Sequence, residues 1–486
     1  MEKLSEKRDA LSYFAEYSRI PHGSGNMIAA GEFCRRFAAE NGLDFFKDDR
    51  GNVLIRKPAS CGAEGLPPVI LQGHLDMVAV QDAESSMDME HEGITLVREG
   101  DILRADGTSL GADNGIAVGM MLSVLADKEA VHPPLEAVFT VDEEIGLLGA
   151  LAFDKSCLQG KRYINLDAEG EGHFTVSCAG GATAEITLPV CREMQKGRVC
   201  RVVIDGLSGG HSGTEIDKGH ENALSLAAEL LSSLSDRIPY TLLAFSGGEK
   251  DNAIPTSVSF ALVSSDPHVK EELLLLLAAL RERLAEKEPS LITATVEEDG
   301  EDGDASLALT DEATRVFRKL LLALPNGVRA MSGEIAGLVQ TSANLAIAEL
   351  SSDRARVTVS VRSSVGEEKE ALLSEIAVAV RAAGGQCAVH GAYPAWEYRA
   401  HSPLRDCACA VFRRLSGKEP IIEAIHAGLE CGVFYDAIAD LDCIAFGPQL
   451  ENIHTPREWL SISSAQRTEA FLRALLAELA KGEKSI

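Results

Sequence analysis

Short apolar runs alternate with longer helix-like stretches from about residue 8 to residue 182. The runs Val69-Ile70-Leu71, Ala137 to Val141 and Tyr163 to Leu166 are largely apolar. Strands that are buried on both faces of a sheet have this composition, because helices cover both sides. The alternation therefore predicts an α/β fold built on a mostly parallel sheet with helices on each side.

Polar motifs stand where these predicted strands end. Gly73-His74-Leu75-Asp76 follows the first run, Asp142-Glu143-Glu144 the second, and Asn165-Leu166-Asp167-Ala168-Glu169 the third. Gly111-Ala112-Asp113-Asn114-Gly115 has the same character, and a helical stretch is predicted from Ile145. Ligands of open α/β sheets bind beyond the carboxyl ends of the strands, so we expect these side chains to share one site.

The pattern changes near residue 183. Arg356 to Arg362 alternates with period two, so its valines share one face and Arg362 lies on the other. Asn222 to Leu234 and His268 to Leu284 are helix-like, and the acidic stretch Glu297 to Asp304 predicts an exposed loop. Strands with interspersed helices predict an α+β domain whose sheet is covered on one side.

The first pattern returns after about residue 392. Cys443 to Phe446 is strand-like, and the last helix is predicted to begin with a capping box of Ser463 and Gln466. The simplest architecture is an α/β domain of residues 1–183 and 393–486. An inserted α+β domain of residues 184–392 interrupts it.

Charge and composition exclude several function classes. The formal net charge is −28, which argues against nucleic acid and anionic membrane surfaces as partners. The apolar run Leu273 to Leu277 is far shorter than the ~20 residues of a membrane span. The charged first residues lack the apolar core of a signal peptide, and the eleven cysteines contain no C-x-x-C. We therefore expect a cytoplasmic protein with reduced thiols.

The strand-end motifs, together with Ile453-His454-Thr455-Pro456, contain two histidines and several carboxylates. Two hydrolytic ions of the zinc type require such a ligand set. Taken singly, each motif has an ordinary explanation. Asp142-Glu143-Glu144 is typical of a solvated helix start, Asp113-Asn114-Gly115 of a turn, and His454 of a loop. Carboxylates at several strand ends would however repel one another at a shared edge unless a cation offsets them.

The motif series resembles the M20 family of dinuclear zinc peptidases, and within it the branch of bacterial aminoacyl-histidine dipeptidases. The matching motifs run in the family's order and cover nearly the whole chain, and the long insertion fits that branch. The resemblance implies that Asp113 bridges two ions, that His74 and Asp167 complete one site, and that Glu144 and His454 complete the other. It also implies that Glu143 is the general base and that Asp76 orients His74.

Further motifs in the resemblance concern the substrate. His211, in Ser208-Gly209-Gly210-His211-Ser212-Gly213, resembles a lid histidine that reaches the partner subunit's active site and stabilises the oxyanion, which implies a homodimer. The resemblance implies substrate contacts for four further residues: Asn252, Arg362, Gly428 and Glu430. For Arg362, an exposed surface arginine is the alternative.

These inferences together predict a homodimeric metallodipeptidase with two divalent ions per subunit, Zn²⁺ first and Co²⁺ or Mn²⁺ as substitutes. Its expected substrates are unblocked dipeptides, including Xaa-His and β-alanyl-histidine. A tripeptidase or an N-acyl amino acid deacylase of the same family would share the metal site. A non-catalytic binding protein on this fold is disfavoured, because no expected ligand or base is missing.

Overall fold

The structure, a computed structural model, describes residues 8–285, 293–299 and 305–482. It divides into two compact units. The first comprises Met1–Cys178, Trp396–Ala424 and Leu429–Ile486, and the second comprises Ala179–Ala395 and Ile425–Gly428. None of the helices in these described ranges combines the length and apolar character needed to cross a membrane.

The helices and strands are numbered along the chain. The helices are α1 (Ala10–Tyr17), α2 (Ile28–Asn41), α3 (Ala112–Ala126), α4 (Leu148–Ala152), α5 (Ala223–Ser235), α6 (Val269–Leu284), α7 (Asp311–Ala323), α8 (Gly366–Ala382), α9 (Pro403–Ser416), α10 (Glu430–Ala437) and α11 (Ile462–Leu479). The strands are β1 (Asp44–Lys47), β2 (Val53–Lys57), β3 (Val69–His74), β4 (Leu96–Glu99), β5 (Ile102–Ala105), β6 (Leu135–Thr140), β7 (Arg162–Asn165), β8 (His173–Cys178), β9 (Gly180–Pro189), β10 (Arg192–Lys196), β11 (Arg198–Asp205), β12 (Thr241–Gly247), β13 (Val258–Ser264), β14 (Thr293–Asp299), β15 (Ala305–Leu309), β16 (Gly327–Met331), β17 (Val339–Leu350), β18 (Arg354–Ser363), β19 (Gln386–Tyr393), β20 (Ile421–Ile425), β21 (Asp442–Ala445), β22 (Leu450–Glu451) and β23 (Trp459–Ser461).

The first unit is built on an eight-stranded sheet with the order β1-β2-β6-β3-β7-β21-β8-β20. Its four central strands, β6, β3, β7 and β21, run parallel. The predicted α/β fold is confirmed, and the parallel part is this centre. Towards the edges, β2 pairs with β6 and β8 pairs with β21 in antiparallel fashion.

Both faces of the central strands are covered, which explains why their sequences are apolar throughout. Val69 and Leu71 of β3 point into one core cluster with α1, α2, α3 and α11. On the opposite face, the ring of Tyr163 lies 5.0 Å from the ring of Phe434 in α10. Every residue of β3 and β6 is buried as a result.

A small sheet with the order β22-β23-β5-β4 carries the remaining site segments of this unit. β23 pairs with β5 through Leu460 and Leu103. The loop between β22 and β23 contains His454, and the segment after β5 leads to Asp113. Pairing of these strands therefore brings the C-terminal motif next to the start of α3.

The second unit contains an antiparallel sheet with the order β14-β11-β13-β12-β17-β18-β9-β19, and β16 pairs with β17. In β18, Val357, Val359 and Val361 are fully buried in the core cluster that the helices of this unit complete. Thr358 and Arg362 are partly exposed on the other face, so the predicted assignment of faces is confirmed.

Three local predictions were wrong. Helix α11 is capped by Ser461, whose side chain accepts a hydrogen bond from the backbone N–H of Ser464, and not by Ser463. The chain after Glu144 forms turns, and α4 begins only at Leu148. The predicted acidic loop starts as a strand, because β14 continues to Asp299 in pairing with β11. Residues 300–304 of that loop lie outside the described residues.

Candidate metal centre and active site

Asp113, the predicted bridging ligand, lies at the start of α3. Its Oδ1 lies 3.4 Å from Nε2 of His74, and its Oδ2 lies 3.2 Å from Nε2 of His454. One carboxylate thus presents a separate oxygen to each histidine. His74 is the last residue of β3 and is 1% exposed, whereas the side chain of His454 is 43% exposed.

The two other predicted ligands complete two groups around this carboxylate. Oδ1 of Asp167 lies 3.4 Å from His74 Nε2, and Oε1 of Glu144 lies 3.0 Å from His454 Nε2. The ligand atoms of His74, Asp113 and Asp167 all lie within 4.8 Å of one another, as do those of Asp113, Glu144 and His454. The structure therefore brings all five predicted ligands together.

Asp76 connects the first histidine to the two glutamates. Its Oδ1 lies 3.5 Å from Nδ1 of His74, and that nitrogen is 2.9 Å from the Asp76 carbonyl oxygen. The Asp76 carboxylate accepts hydrogen bonds from the backbone N–H of Glu143 at 3.0 Å and of Glu144 at 3.3 Å. The hydroxyl of Ser24 donates a further one at 2.8 Å. Asp76 therefore positions the base candidate Glu143 together with the ligand candidates His74 and Glu144.

Asn114, at the start of α3, links the ends of two strands, β3 and β7. Its Oδ1 accepts from the backbone N–H of His74 at 3.2 Å, and its Nδ2 donates to the carbonyl of Leu166 at 2.9 Å. A Cβ on Gly73 would overlap the Asn114 side-chain oxygen, so this close approach requires glycine. The peptide bond between Asp113 and Asn114 is cis.

Glu458 is a supporting residue to which the sequence analysis assigned no role. Its Oε2 accepts from the backbone N–H of Leu110 at 2.8 Å and of Gly111 at 3.0 Å. Its Oε1 accepts from Ala112 at 2.9 Å and Asp113 at 3.2 Å. A side chain that is 2% exposed thus satisfies four successive backbone donors beside the Asp113 carboxylate. The only sequence signal was a carboxylate four residues after His454.

Burial and crowding dominate the electrostatics of this site. Burial, with the nearby charges of Asp167 and Glu144, raises the pKa of Glu143 well above its ordinary value. Burial opposes protonation of His454, but its hydrogen bonds to Asp113 and Glu144 raise the pKa of that imidazole to about 10. Buried carboxylates this close together either hold a proton or are stabilised in their ionised form by positive charge placed between them.

The donor set fits two divalent ions. It offers imidazole nitrogens and carboxylate oxygens, which are ligands for zinc and related metals. Asp113 has one oxygen for each position, and each histidine faces it through Nε2. Nδ1 of His74 faces a carboxylate and a carbonyl oxygen, an arrangement typical of metal-binding histidines.

In the second unit, the predicted residues His211 and Asn252 lie on adjoining loops. The carbonyl of Asn252 accepts from the N–H of Ser212 at 2.8 Å, and His211 forms an isolated bridge with Ala253. Nδ1 of His211 accepts from the backbone N–H of Gly213 at 3.2 Å and of Thr214 at 3.1 Å. The neutral imidazole therefore carries its proton on Nε2. Burial, and Arg362 nearby, lower the pKa of His211.

Glu430, for which the resemblance implied a substrate contact, is buried in the structure. The resemblance suggested a contact with the substrate's amino group, which requires an accessible carboxylate oxygen. Glu430 is fully buried, and its Oε2 accepts hydrogen bonds from the Thr140 hydroxyl at 2.6 Å and from Gln72. Burial raises its pKa to about 8. Its other oxygen, Oε1, has no hydrogen-bond partner, and the substrate contact stays a prediction.

Comparison with known proteins agrees with this geometry. The family model described as peptidase family M20/M25/M40 matches residues 70–478. The chain belongs to the M20 peptidase family. The resemblance that the motifs predicted is thus confirmed. This family is metal-dependent, and the described part of the chain contains three groups of residues that could hold an ion.

Two of the similar M20 proteins are dipeptidases by name. The chain is 35% identical over 472 residues to the cytosol non-specific dipeptidase of Escherichia coli K12, which covers 96% of each protein. It is similar to the crystal structure of an aminoacylhistidine dipeptidase from Vibrio alginolyticus, with a TM-score of 0.88, 32% identity, and coverage of 98% of this chain and 97% of that one. Aminopeptidase PepT from Bacillus cereus, at 15% identity and a TM-score of 0.56 over 98% and 99% of the two chains, shares the fold. The protein is an M20 peptidase with dipeptidases among its relatives.

Proposed function

We propose that the protein is a cytoplasmic, homodimeric metallodipeptidase that hydrolyses unblocked dipeptides, including Xaa-His and β-alanyl-histidine. The main support is the position of Asp113, whose carboxylate presents one oxygen to His74 and the other to His454. The carboxylate of Glu143 lies next to the ligand candidate Glu144. Sequence identity to two dipeptidases over nearly the whole chain supports dipeptides as the substrate class.

His74 and Asp167 would hold one ion, Glu144 and His454 the other, and Asp113 both. The ions, Zn²⁺ or in its place Co²⁺ or Mn²⁺, would supply a lowered water pKa and polarisation of the scissile carbonyl. Both histidines must be neutral to act as ligands, so metal binding displaces their protons.

Glu143 would take the proton of the attacking water as the new C–O bond forms. It would then deliver that proton to the leaving amine as the C–N bond breaks, which balances the hydrolysis. A carboxylate beside the attacking water can both accept and return a proton. Asp76 keeps it in place through the backbone N–H of Glu143.

His211 would stabilise the oxyanion of the tetrahedral intermediate. Its Nε2–H is the free donor of a neutral imidazole, since Nδ1 is engaged by two backbone N–H groups. In the proposed homodimer, this residue serves the active site of the partner subunit. Asn252 would contact the substrate backbone, and Arg362 its C-terminal carboxylate.

A substrate panel tests the reaction. The zinc-loaded protein should hydrolyse Ala-His much faster than Ala-Ala-Ala or N-acetyl-alanine. Preference for the tripeptide would indicate a tripeptidase, and preference for the acetylated amino acid a deacylase. No turnover of any of the three, despite bound zinc, would favour a binding protein.

A base variant tests the mechanism. Glu143→Ala should lower kcat for Ala-His by at least about 1,000-fold while zinc content per subunit stays unchanged, because its carboxylate is not needed as a ligand. Glu84→Ala, an exposed glutamate of the same unit, is the matched control. Substantial turnover by Glu143→Ala would contradict this role.

A further inference from the structure

Four residues form a row across neighbouring strands of the second unit. Ser342 of β17 lies opposite Arg362 of β18, Arg362 lies opposite Gly181 of β9, and Gly181 lies opposite Tyr393 of β19. We call Ser342, Arg362, Gly181 and Tyr393 the arginine row. Directly opposed residues on one face of an antiparallel sheet are close enough for their side chains to interact.

Two glycines leave space for the ring of Tyr393. A Cβ on Gly181 would overlap the phenol group, and a Cβ on Gly428 would lie 2.7 Å from the ring carbon Cε2. Lys369, which is buried, donates from Nζ to the Tyr393 carbonyl at 3.1 Å. Both the ring and the backbone of Tyr393 are therefore held in place.

Arg362 is tied to this tyrosine and to no acidic group. Its Nη1 donates to the Tyr393 hydroxyl oxygen at 2.9 Å. Its Nε is buried without a hydrogen-bond partner, and no carboxylate among the described residues forms an ion pair with it. A partly buried guanidinium with an unsatisfied donor is costly unless an anion binds it, and a carboxylate matches its planar fork.

The other end of the arginine row is closed by His426. Its Nε2 lies 2.7 Å from the Ser342 hydroxyl, and the residue is 5% exposed. Burial, followed by the charge of Arg362, lowers the pKa of His426 to about 4, so this imidazole is neutral near pH 7. Arg362 is thus flanked by two neutral side chains and remains the positive centre of the row.

We propose that Tyr393 is a positioning residue for peptide binding, which holds the Arg362 guanidinium so that its unpaired edge receives the C-terminal carboxylate of the substrate. Gly181 and Gly428 are required because the tyrosine ring occupies the space of their side chains. Gly428, for which the resemblance implied a substrate contact, then acts through Tyr393. This inference rests on the proposed dipeptidase function and specifies peptides with a free C-terminal carboxylate.

The test removes only the hydroxyl. Tyr393→Phe should raise KM for Ala-His about 10-fold, the size expected for one hydrogen bond to a charged group, and change kcat less than about 3-fold. The amide of Ala-His lacks the carboxylate, so its kinetics should not change. Tyr240→Phe is the matched control, because it removes a hydroxyl of the same unit that donates to the Leu231 carbonyl at 2.6 Å.

Binding gives a readout that does not need turnover. Calorimetry with the zinc-loaded Glu143→Ala protein should show about 10-fold weaker binding of Ala-His, but not of its amide, when Tyr393→Phe is added. If the wild type hydrolyses no dipeptide but this binding difference appears, the proposed reaction fails and the role of Tyr393 stands. Equal effects on acid and amide, an effect no larger than that of Tyr240→Phe, or no binding of Ala-His would overturn the inference.

Discussion

Replacement of Glu458 by glutamine tests whether this buried carboxylate maintains the segment that carries Asp113. In the native protein its two oxygens accept hydrogen bonds from four backbone N–H groups, those of residues 110–113. Glu458→Gln keeps the size and shape of the side chain. It replaces one acceptor oxygen by an NH₂ group, which cannot accept and faces two N–H donors.

The expected loss follows from that count. Two hydrogen bonds to a charged acceptor are removed, and each contributes about 1.5 kcal/mol or more, so unfolding should become easier by about 3 kcal/mol. A loss of this size is a large part of the 5–15 kcal/mol that stabilises a typical domain. Zinc affinity should also fall, by roughly 10- to 100-fold, because the segment orients Asp113, the proposed bridging ligand.

Urea unfolding of the metal-free protein at pH 8 measures the first effect. Burial raises the pKa of Glu458 to about 7, and the N–H donors act against this, so the carboxylate is ionised at pH 8. Glu451→Gln is the matched control, since Glu451 is an exposed glutamate at the other end of the same loop. A difference between the two variants below about 0.5 kcal/mol would refute the reasoning.

Three other predictions follow from the site geometry. Gly73→Ala should lower the free energy of unfolding by about 1–3 kcal/mol, because the new Cβ overlaps the Asn114 oxygen. Gly65→Ala is the control, because a Cβ there meets open space and should not change stability. Equal urea midpoints for the two variants would contradict the prediction for Gly73. Asp76→Ala should reduce kcat for Ala-His by about 10- to 100-fold through loss of the support to His74 and to the backbone of Glu143; steady-state kinetics near wild-type values would exclude that role. Removal of metal by a chelator should abolish turnover and lower the thermal midpoint, and added Zn²⁺ should restore both; a midpoint that does not respond to metal would argue against an ion at this site.

The central strands were predictable because strands that are buried on both faces are apolar throughout, and the local sequence shows this directly. β3, β6 and β7 are apolar runs that end in polar motifs, and parallel pairing brings those ends together. The antiparallel strands β1 and β2 were not predicted; they pair with each other locally, but β2 joins the sheet only through β6, a partner distant in the chain. The start of α11 was misplaced for a similar reason: Asp101 accepts from the backbone N–H of Ser463, a contact that no local pattern reveals.

At the site, residue types that bind metal were visible in the sequence and their supports were not. His74, Asp113 and Glu144 belong to compact motifs whose chemistry is specific. Glu458 acts on a segment 345 residues away, and Tyr393 acts on Arg362 from another strand. Such supporting roles cannot be predicted from local sequence, because only the tertiary structure determines which hydrogen-bonding groups lack a partner. Glu430 shows the converse, because a glutamate in a conspicuous motif is fully buried.

The hydrogen bonds between Glu458 and residues 110–113 affect when the candidate site can form during protein synthesis. A ribosome that has translated the codon of residue 440 has added four of the five candidate ligands to the chain, but neither His454 nor Glu458, whose carboxylate accepts hydrogen bonds from residues 110–113. Nascent chains would therefore be unable to complete the proposed site until residues 454–458 have been synthesised. Contacts of such long sequence separation also form slowly, which would further delay completion of the site.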